Sequence, residues 1–319
     1  MFGTQDTAVE PEYSFITTDD FVAYGVWCAP HVAAFCPSVP PPLFHYAAGS
    51  TLIEMIRSGE MWSTQLGCLN DASELVYSIE LLHTKAKEQL AASTVPEVKF
   101  LLEHIVSGLA TSSILTEGRF VACFSEDGDD LSQWRGYAGG EGGYALEFDS
   151  QHLRKLADPV IILGKVEYDS QKHDAFMDDV LRAVIQFFRD GLQNNRAPSI
   201  EEWTEEFLRY WANLLAVFAP FIKHPKFSGE REWRLAYHLE DKAMPRMRYL
   251  QRSSMMTQHV PLRLMMRDDK PCLPLKGIVV GPSRHKEVSR ISVADLLRTH
   301  GYSTPDVPVT TTSIPYRTV

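Results

Sequence analysis

The sequence predicts an α+β fold, with a mixed, mainly antiparallel central sheet of short strands carrying a helical insertion. Three observations lead there. Helical and strand-like patterns alternate, but the strand-like runs are short. Several of them follow one another without the crossover helix that parallel strands need. The fingerprints of doubly wound nucleotide-binding sheets, G-x-G-x-x-G after a strand and G-x-x-x-x-G-K-[ST], do not occur.

Residues 1–42 lack clear periodicity and end in a proline-rich run (Pro37, Pro40, Pro41, Pro42), which reads as an irregular arm. A single α+β domain is expected over 43–302, with the helical insertion at about 174–222 and an extended tail over 303–319. LFHY opens the domain as a short strand. Thr51 and Glu54 have capping-box spacing, so a short helix follows and stops near Gly59. Residues 61–65 read as a second strand. Asp71, with Glu74 three on, can cap a helix running toward residue 92, and another helix covers 97–110. Strands follow at 119–125, 142–148 and 160–168, the glycines Gly139, Gly140, Gly142 and Gly143 making a turn before the middle one. The insertion is two long helices, 174–193 and 199–222, the second opened by Ser199 with Glu202 three on, and both are expected to pack on the sheet. After the strand in GEREWRLAYH comes a basic, methionine-rich segment, 242–270, read as a long connection with solvated charges. A strand at 276–280 and a helix at 293–300 closed by Gly301 complete the pattern.

A chain of 319 residues, 45% hydrophobic and 23% charged, has the apolar material for a full core. A net charge of −10 gives no footprint for extensive nucleic-acid binding, which leaves nucleic acid as a local substrate only. The five cysteines (Cys28, Cys36, Cys68, Cys123, Cys272) are odd in number and form no C-x-x-C, which fits a reducing cytoplasm better than a disulfide framework or a zinc site. Asp6, Glu10 and Glu12 stand where a signal peptide would be basic and then apolar, and no apolar run reaches the roughly 18 residues that span a bilayer. A cytoplasmic protein without membrane association is expected. H-E-x-x-H and G-x-S-x-G are absent, which removes the commonest zinc-protease and serine-hydrolase readings.

GEREWRLAYH (229–238) poses the sharpest chemical question, since an acidic chain sets Glu230 and Glu232 one residue apart at the head of a strand. With a period of two, Trp233, Leu235 and Tyr237 line one face and Glu230, Glu232, Arg234 and Ala236 the other. The plain reading is a sheet with one solvated, charged face, Arg231 and Arg234 compensating the paired carboxylates. Three further clusters carry chemistry-bearing side chains: His45 and Tyr46 on the first strand with Trp62, Ser63 and Thr64 on the second; Asn70, Asp71 and Glu74; and CFSEDGDDLSQW with Cys123, Ser125 and Trp134, followed by Tyr137.

Taken in order, these motifs resemble a widespread family of uncharacterised bacterial domains with the pattern L-x-H-Y, W-S, N-D-x-x-E, C-F-S, W-x-x-Y, a glycine-rich turn into a strand ending F-D, and E-x-E-W-R. The likeness runs over roughly residues 43–300. More distantly the chain is similar to ADP-ribosyltransferases, which put a His or Arg on the first core strand, a Ser/Thr or aromatic residue on the second, and a Glu, often within E-x-E, at the start of a later one.

That second resemblance implies a mono-ADP-ribosyltransferase with NAD as substrate, in a bacterial toxin or phage-defence setting with an antitoxin or defence-system partner. Cleaving the nicotinamide bond develops an oxocarbenium-like ribose, so a fixed carboxylate beside it, Glu232, stabilises the transition state more than the ground state. Arg234 keeps Glu232 ionised, and Glu230 orients or deprotonates the acceptor. His45, with Tyr46 beside it, bonds a ribose hydroxyl, Ser63 holds the pocket or the nicotinamide amide, and Trp62 or Trp134 walls the ring. Each residue has an ordinary competitor. A strand histidine such as His45 is more often a satisfied structural residue than a ligand, Trp134 and Tyr137 read more readily as packing a loop onto the core, Asn70, Asp71 and Glu74 are explained as a helix cap, and Cys123 reads as a small buried hydrophobe. The second strand also lacks the full S-T-S of transferases, reading Ser63-Thr64-Gln65. The alternative function is a catalytically inactive member of the same fold that binds a nucleotide or a protein.

Overall fold

The computed structural model describes residues 15–69, 73–108, 118–137, 142–156, 161–238, 247–252, 255–303 and 305–315. Its elements run α1 (Thr18–Phe35), β1 (Leu43–Ala47), α2 (Gly49–Ser58), β2 (Met61–Gln65), α3 (Ser73–Ala92), α4 (Pro96–Gly108), β3 (Arg119–Ser125), α5 (Leu131–Tyr137), β4 (Tyr144–Phe148), α6 (Ser150–Leu156), β5 (Ile161–Lys165), α7 (Ser170–Gln193) and α8 (Ile200–Phe218). They continue through β6 (Glu232–His238), β7 (Arg248–Arg252), β8 (Met255–Leu262), β9 (Met265–Arg267), β10 (Lys270–Cys272), β11 (Leu275–Val280), α9 (Lys286–Thr299) and β12 (Val309–Thr311). Helices and a mixed, mostly antiparallel sheet make this an α+β fold, and β11–β12 is the parallel pair among the described strands. No helix among the described residues is long and apolar enough to cross a membrane.

Ten strands form one sheet, and its organiser is β3. Along one edge β3 pairs over its whole length with β6, from Arg119↔His238 to Ser125↔Glu232, and β6 pairs in turn with β5. The other edge is shared. β2 takes Phe120 and Val121, β1 takes Ser125, and the two then lead away in separate wings, β2-β8-β7 and β1-β4-β11-β12. The sheet therefore splits along β3, and a split exposes main-chain groups that a continuous ladder would have used.

Two apolar cores follow from the side-chain alternation. One sheet face buries Leu43, Ala47, Met61, Phe120, Ala122, Phe124, Trp233 and Leu235 beneath α2, α6 and α9. The second core is helical, with Tyr24 of α1, Leu82 of α3, Leu101 of α4, Val184 and Phe188 of α7 and Trp203, Phe207 and Trp211 of α8. The helices α7 and α8 thus pack chiefly with α1, α3 and α4, and the chain just after α8 is what lies against β6.

Several expectations are corrected. Residues 18–35 of the supposed irregular arm form an 18-residue helix. Its pattern hides it, because Val22 and Val26 are exposed while Asp20 and Tyr24 are buried, so no apolar stripe shows in the sequence. Helix α2 starts at Gly49, a turn before the capping-box residues, and Glu54 pairs with Arg57 at 2.6 Å instead. The basic segment 242–270 holds strands: β7 pairs with β8 and β9 with β10, Arg248 and Arg263 reach Glu60 at 3.3 and 3.2 Å, and Lys242 and Arg246 lie outside the described residues. Asn70 and Asp71 lie outside them too, as do Gly139 and Gly140. Helix α8 begins as predicted, with Ser199 Oγ accepting from the Glu202 N–H at 3.2 Å, and Gly301 closes α9 at φ +80°.

Candidate functional site

The split in the sheet positions the site. Between the residues claimed by β2 and by β1, the Cys123 carbonyl lies on the unladdered part of the β3 edge. His45, on β1 where it diverges from β3, turns its ring to that carbonyl, Nδ1 lying 2.9 Å from the oxygen. A carbonyl only accepts, so Nδ1 carries the proton and donates.

Beside His45 is a hollow of about 340 Å³, partly open to solvent, bounded by Phe44, His45 and Tyr46 of β1, Cys123, Phe124 and Ser125 of β3, Gln133 and Tyr137 of α5, and Glu230 and Glu232. The loop from β3 to α5 closes one side, and it is built closely. Gly128 crosses the Phe44 ring so tightly that a Cβ there would sit 2.5 Å from the ring carbons. The Tyr46 hydroxyl ties the loop down, donating to Asp127 O at 2.8 Å and accepting from the Asp130 N–H at 3.0 Å. Asp130 Oδ1 in turn accepts from the main-chain N–H groups of Ser132 and Gln133, starting α5.

Opposite lie the two glutamates, arranged differently from the alternation that their spacing suggested. Glu230 ends a 3₁₀ turn (Pro225–Glu230), Arg231 adopts φ +46° and pairs with Asp127 at 2.7 Å, and the strand begins only at Glu232. The charged face is not solvated. Residues 219–223 cross it, so Glu232 is 6% and Arg234 1% exposed, and Arg234 Nη1 donates to Pro220 O at 2.8 Å. The guanidinium grips the carboxylate in a fork, Nε to Oε1 at 2.8 Å and Nη2 to Oε2 at 2.9 Å. Lys223, 1% exposed, brings Nζ within 3.2 Å of Glu232 Oε2 and also to Glu230 Oε2. Burial alone would push the Glu232 carboxyl up, but Arg234, then Lys223, and a hydrogen bond from the Cys123 thiol hold it well below the ordinary carboxylate range. Tyr168 adds its hydroxyl oxygen, accepting from the Glu232 N–H at 3.1 Å. Burial, with Glu230 and Glu232 nearby, raises the Tyr137 phenol; burial and Glu232 raise that of Tyr168, so both stay neutral.

Of the residues singled out in the sequence, the fold brings His45, Tyr46, Glu230 and Glu232 to this hollow, with Arg234 behind Glu232. Three lie elsewhere. Ser63 is buried and donates to Val260 O at 2.8 Å, Trp62 packs on His259 with centroids 4.9 Å apart, and Trp134 stands behind Tyr46, edge to face at 4.6 Å, donating through Nε1 to Asp129. Cys123 lines the hollow rather than packing as a plain hydrophobe. Sequence reasoning missed Lys223 and Gln133. A single lysine after the apolar run FAPFI was the available signal for the first; nothing in the pattern marked the second. No group of three or more His, Cys, Asp or Glu among the described residues is placed to hold a metal ion.

Comparison with known proteins places this site within or beside one recognised stretch. Residues 133–235 match the model of a family described as protein of unknown function (DUF2971), a span that begins at Gln133 and includes Tyr137, Lys223, Glu230, Glu232 and Arg234. No curated protein and no solved structure matches the chain.

Proposed function

We infer that the chain is a mono-ADP-ribosyltransferase that uses NAD as substrate, with the hollow between His45 and Glu232 as its site. One observation carries this reading: a histidine on the first strand and a glutamate at the head of a later one, remote in sequence, line the same hollow. The hollow is open to solvent on one side, so the adenosine half of the dinucleotide would extend outside it. In the reaction the C–N bond between ribose C1′ and nicotinamide breaks, its electron pair leaving with the ring, which departs neutral. The acceptor forms the new bond at C1′, and its proton passes to Glu230, the more accessible carboxylate. His45 bonds a ribose hydroxyl. Glu232, held ionised and immobile, is the preorganised anion facing the developing positive charge.

A second reading has an observation of its own. Arg234 and Lys223 already engage both oxygens of Glu232, which also suits a member of the fold that binds a nucleotide without turning it over. Incubation of the full chain with a cell lysate and NAD labelled on the adenylate separates the two. The transferase reading expects nicotinamide release and label on protein or nucleic acid, both lost in His45→Leu and Glu232→Gln when activity is scored per folded molecule. NAD binding without nicotinamide release would favour the second reading, and neither binding nor release removes both.

A further inference from the structure

Most polar side chains around the hollow are already committed. Tyr46 bridges Asp127 and Asp130, Ser125 donates to Glu230 O at 2.8 Å, Cys123 bonds Glu232, and the two glutamates share Lys223. Gln133 differs. It is only 7% exposed and lines the hollow, its main-chain N–H is taken by Asp130 at 3.1 Å, and its side-chain amide has no hydrogen-bond partner among the described residues. The amide is not a buried orphan, since it reaches the open hollow where water can hydrogen-bond it, and a ligand seated there would exchange those water hydrogen bonds for its own.

We propose that Gln133 sets the specificity of this pocket by pairing its amide with a primary carboxamide carried on a flat heteroaromatic ring. Two facing amides pair through two hydrogen bonds, each donating one N–H to the other's oxygen. Phe44 and Tyr137, which line the hollow together with Gln133, supply apolar surface for the ring. Charge selects in the same direction. Glu230 and Glu232 already balance Lys223 and Arg234, so a ligand carboxylate would meet two carboxylates with no added cation to answer it. A neutral carboxamide pays no such penalty. The inference rests on the transferase reading and deepens it, since it names the group that holds the nicotinamide carboxamide.

The test compares nicotinamide with 3-methylpyridine, the same ring without the carboxamide, titrated into full-length wild type, Gln133→Leu and Gln133→Met by ligand-observed NMR. Wild type is expected to bind nicotinamide about tenfold or more tightly than 3-methylpyridine, the equivalent of one to two neutral hydrogen bonds. Both variants are expected to bind the two rings equally, a ratio that a merely structural role would not move. Two substitutions of different shape are used so that one that disturbs the start of α5 can be set aside, and thermal unfolding reports which is folded. A folded variant that keeps the nicotinamide preference overturns the role of Gln133 and leaves the transferase reading standing. Wild type that shows no preference overturns the inference, and nicotinamide release from NAD then decides the transferase reading separately. Loss of that release with the preference intact would sink the reading alone.

Discussion

Removing the charge of Glu232 should destabilise the fold before it says anything about chemistry. Glu232 accepts from Arg234 Nε at 2.8 Å, from Arg234 Nη2 at 2.9 Å and from Lys223 Nζ at 3.2 Å, and all three side chains are almost wholly buried. In Glu232→Gln one acceptor oxygen becomes an NH₂ group pointed at a cation, and two buried cations lose a carboxylate partner. Breaking a buried ion pair on one side costs about 3–5 kcal/mol, a large part of the roughly 5–15 kcal/mol that holds a domain folded. Arg234→Met strands the carboxylate instead and should cost a similar amount. The double variant Glu232→Gln/Arg234→Met leaves neither charge unanswered by the other, so its cost should fall short of the sum by about 1–3 kcal/mol. Urea unfolding followed by tryptophan fluorescence and far-UV circular dichroism measures all four proteins, the coincidence of the two transitions licensing the comparison. If Glu232→Gln shifted stability by less than about 1 kcal/mol, as surface changes do, the cluster would not be the buried ionic lock described, and the low carboxyl pKa would lose its cause.

Two further outcomes follow from packing and protonation. His173 of α7 is buried between Tyr77 and Glu167, Nε2 donating to Glu167 O at 2.9 Å, and burial holds its pKa down although Glu167, Asp169 and Asp174 pull the other way. The unfolded chain then binds the proton more readily, so this contribution is complete above about pH 6.5 and is lost as pH falls, by up to about 1.4 kcal/mol per pH unit; the urea midpoint of wild type should drop from pH 7 to 5 more steeply than that of His173→Gln, and parallel profiles would refute it. Gly191→Ala should destabilise α7 by about 1–3 kcal/mol, because the new Cβ would lie 2.0 Å from the Trp203 ring, whereas Gly25→Ala, with nothing within 4 Å in α1, should stabilise by about 0.5–1 kcal/mol; opposite shifts in melting temperature check the pair.

What the sequence disclosed and what it withheld divide along a physical line. Local alternation was enough to place β1 through β3 and the helices α7 and α8, because period-two and helical patterns with caps such as Ser199 and Glu202 act within a few residues. It failed for α1, where burial is decided by neighbours from α7 and α8 and not by a stripe, Tyr24 packing on Phe187 and Tyr210. The candidate site was half legible. His45 and Glu232 were marked as chemically unusual for strands, but Lys223 is made a partner only by the chain doubling back after α8, and Gln133 is placed only by the loop that Tyr46 and Asp130 fix. Spacing shows residues that share an element; it cannot show residues that two remote segments bring to one carboxylate.

The same geometry answers why an acidic chain crowds two carboxylates at the head of β6. Arg231, at φ +46°, separates Glu230 from the strand and turns its own charge to Asp127, so the glutamates are not neighbours on a pleat. They are two arms around one ammonium. With Lys223 shared and Arg234 forked onto Glu232, the cluster is neutral as a whole while holding a directed field, since Glu230, the more exposed carboxylate, lies toward the hollow and the cations lie behind. Such a cluster attracts no anion. Positive charge that develops on the ribose after binding is another matter, because the Glu232 oxygens are fixed, ionised and buried, and little reorganisation is needed when it appears. That is a property useful for breaking a glycosidic bond whose ring leaves neutral while positive charge passes to the ribose. A module that only holds its ligand would be served as well by an apolar wall, at lower cost in buried charge.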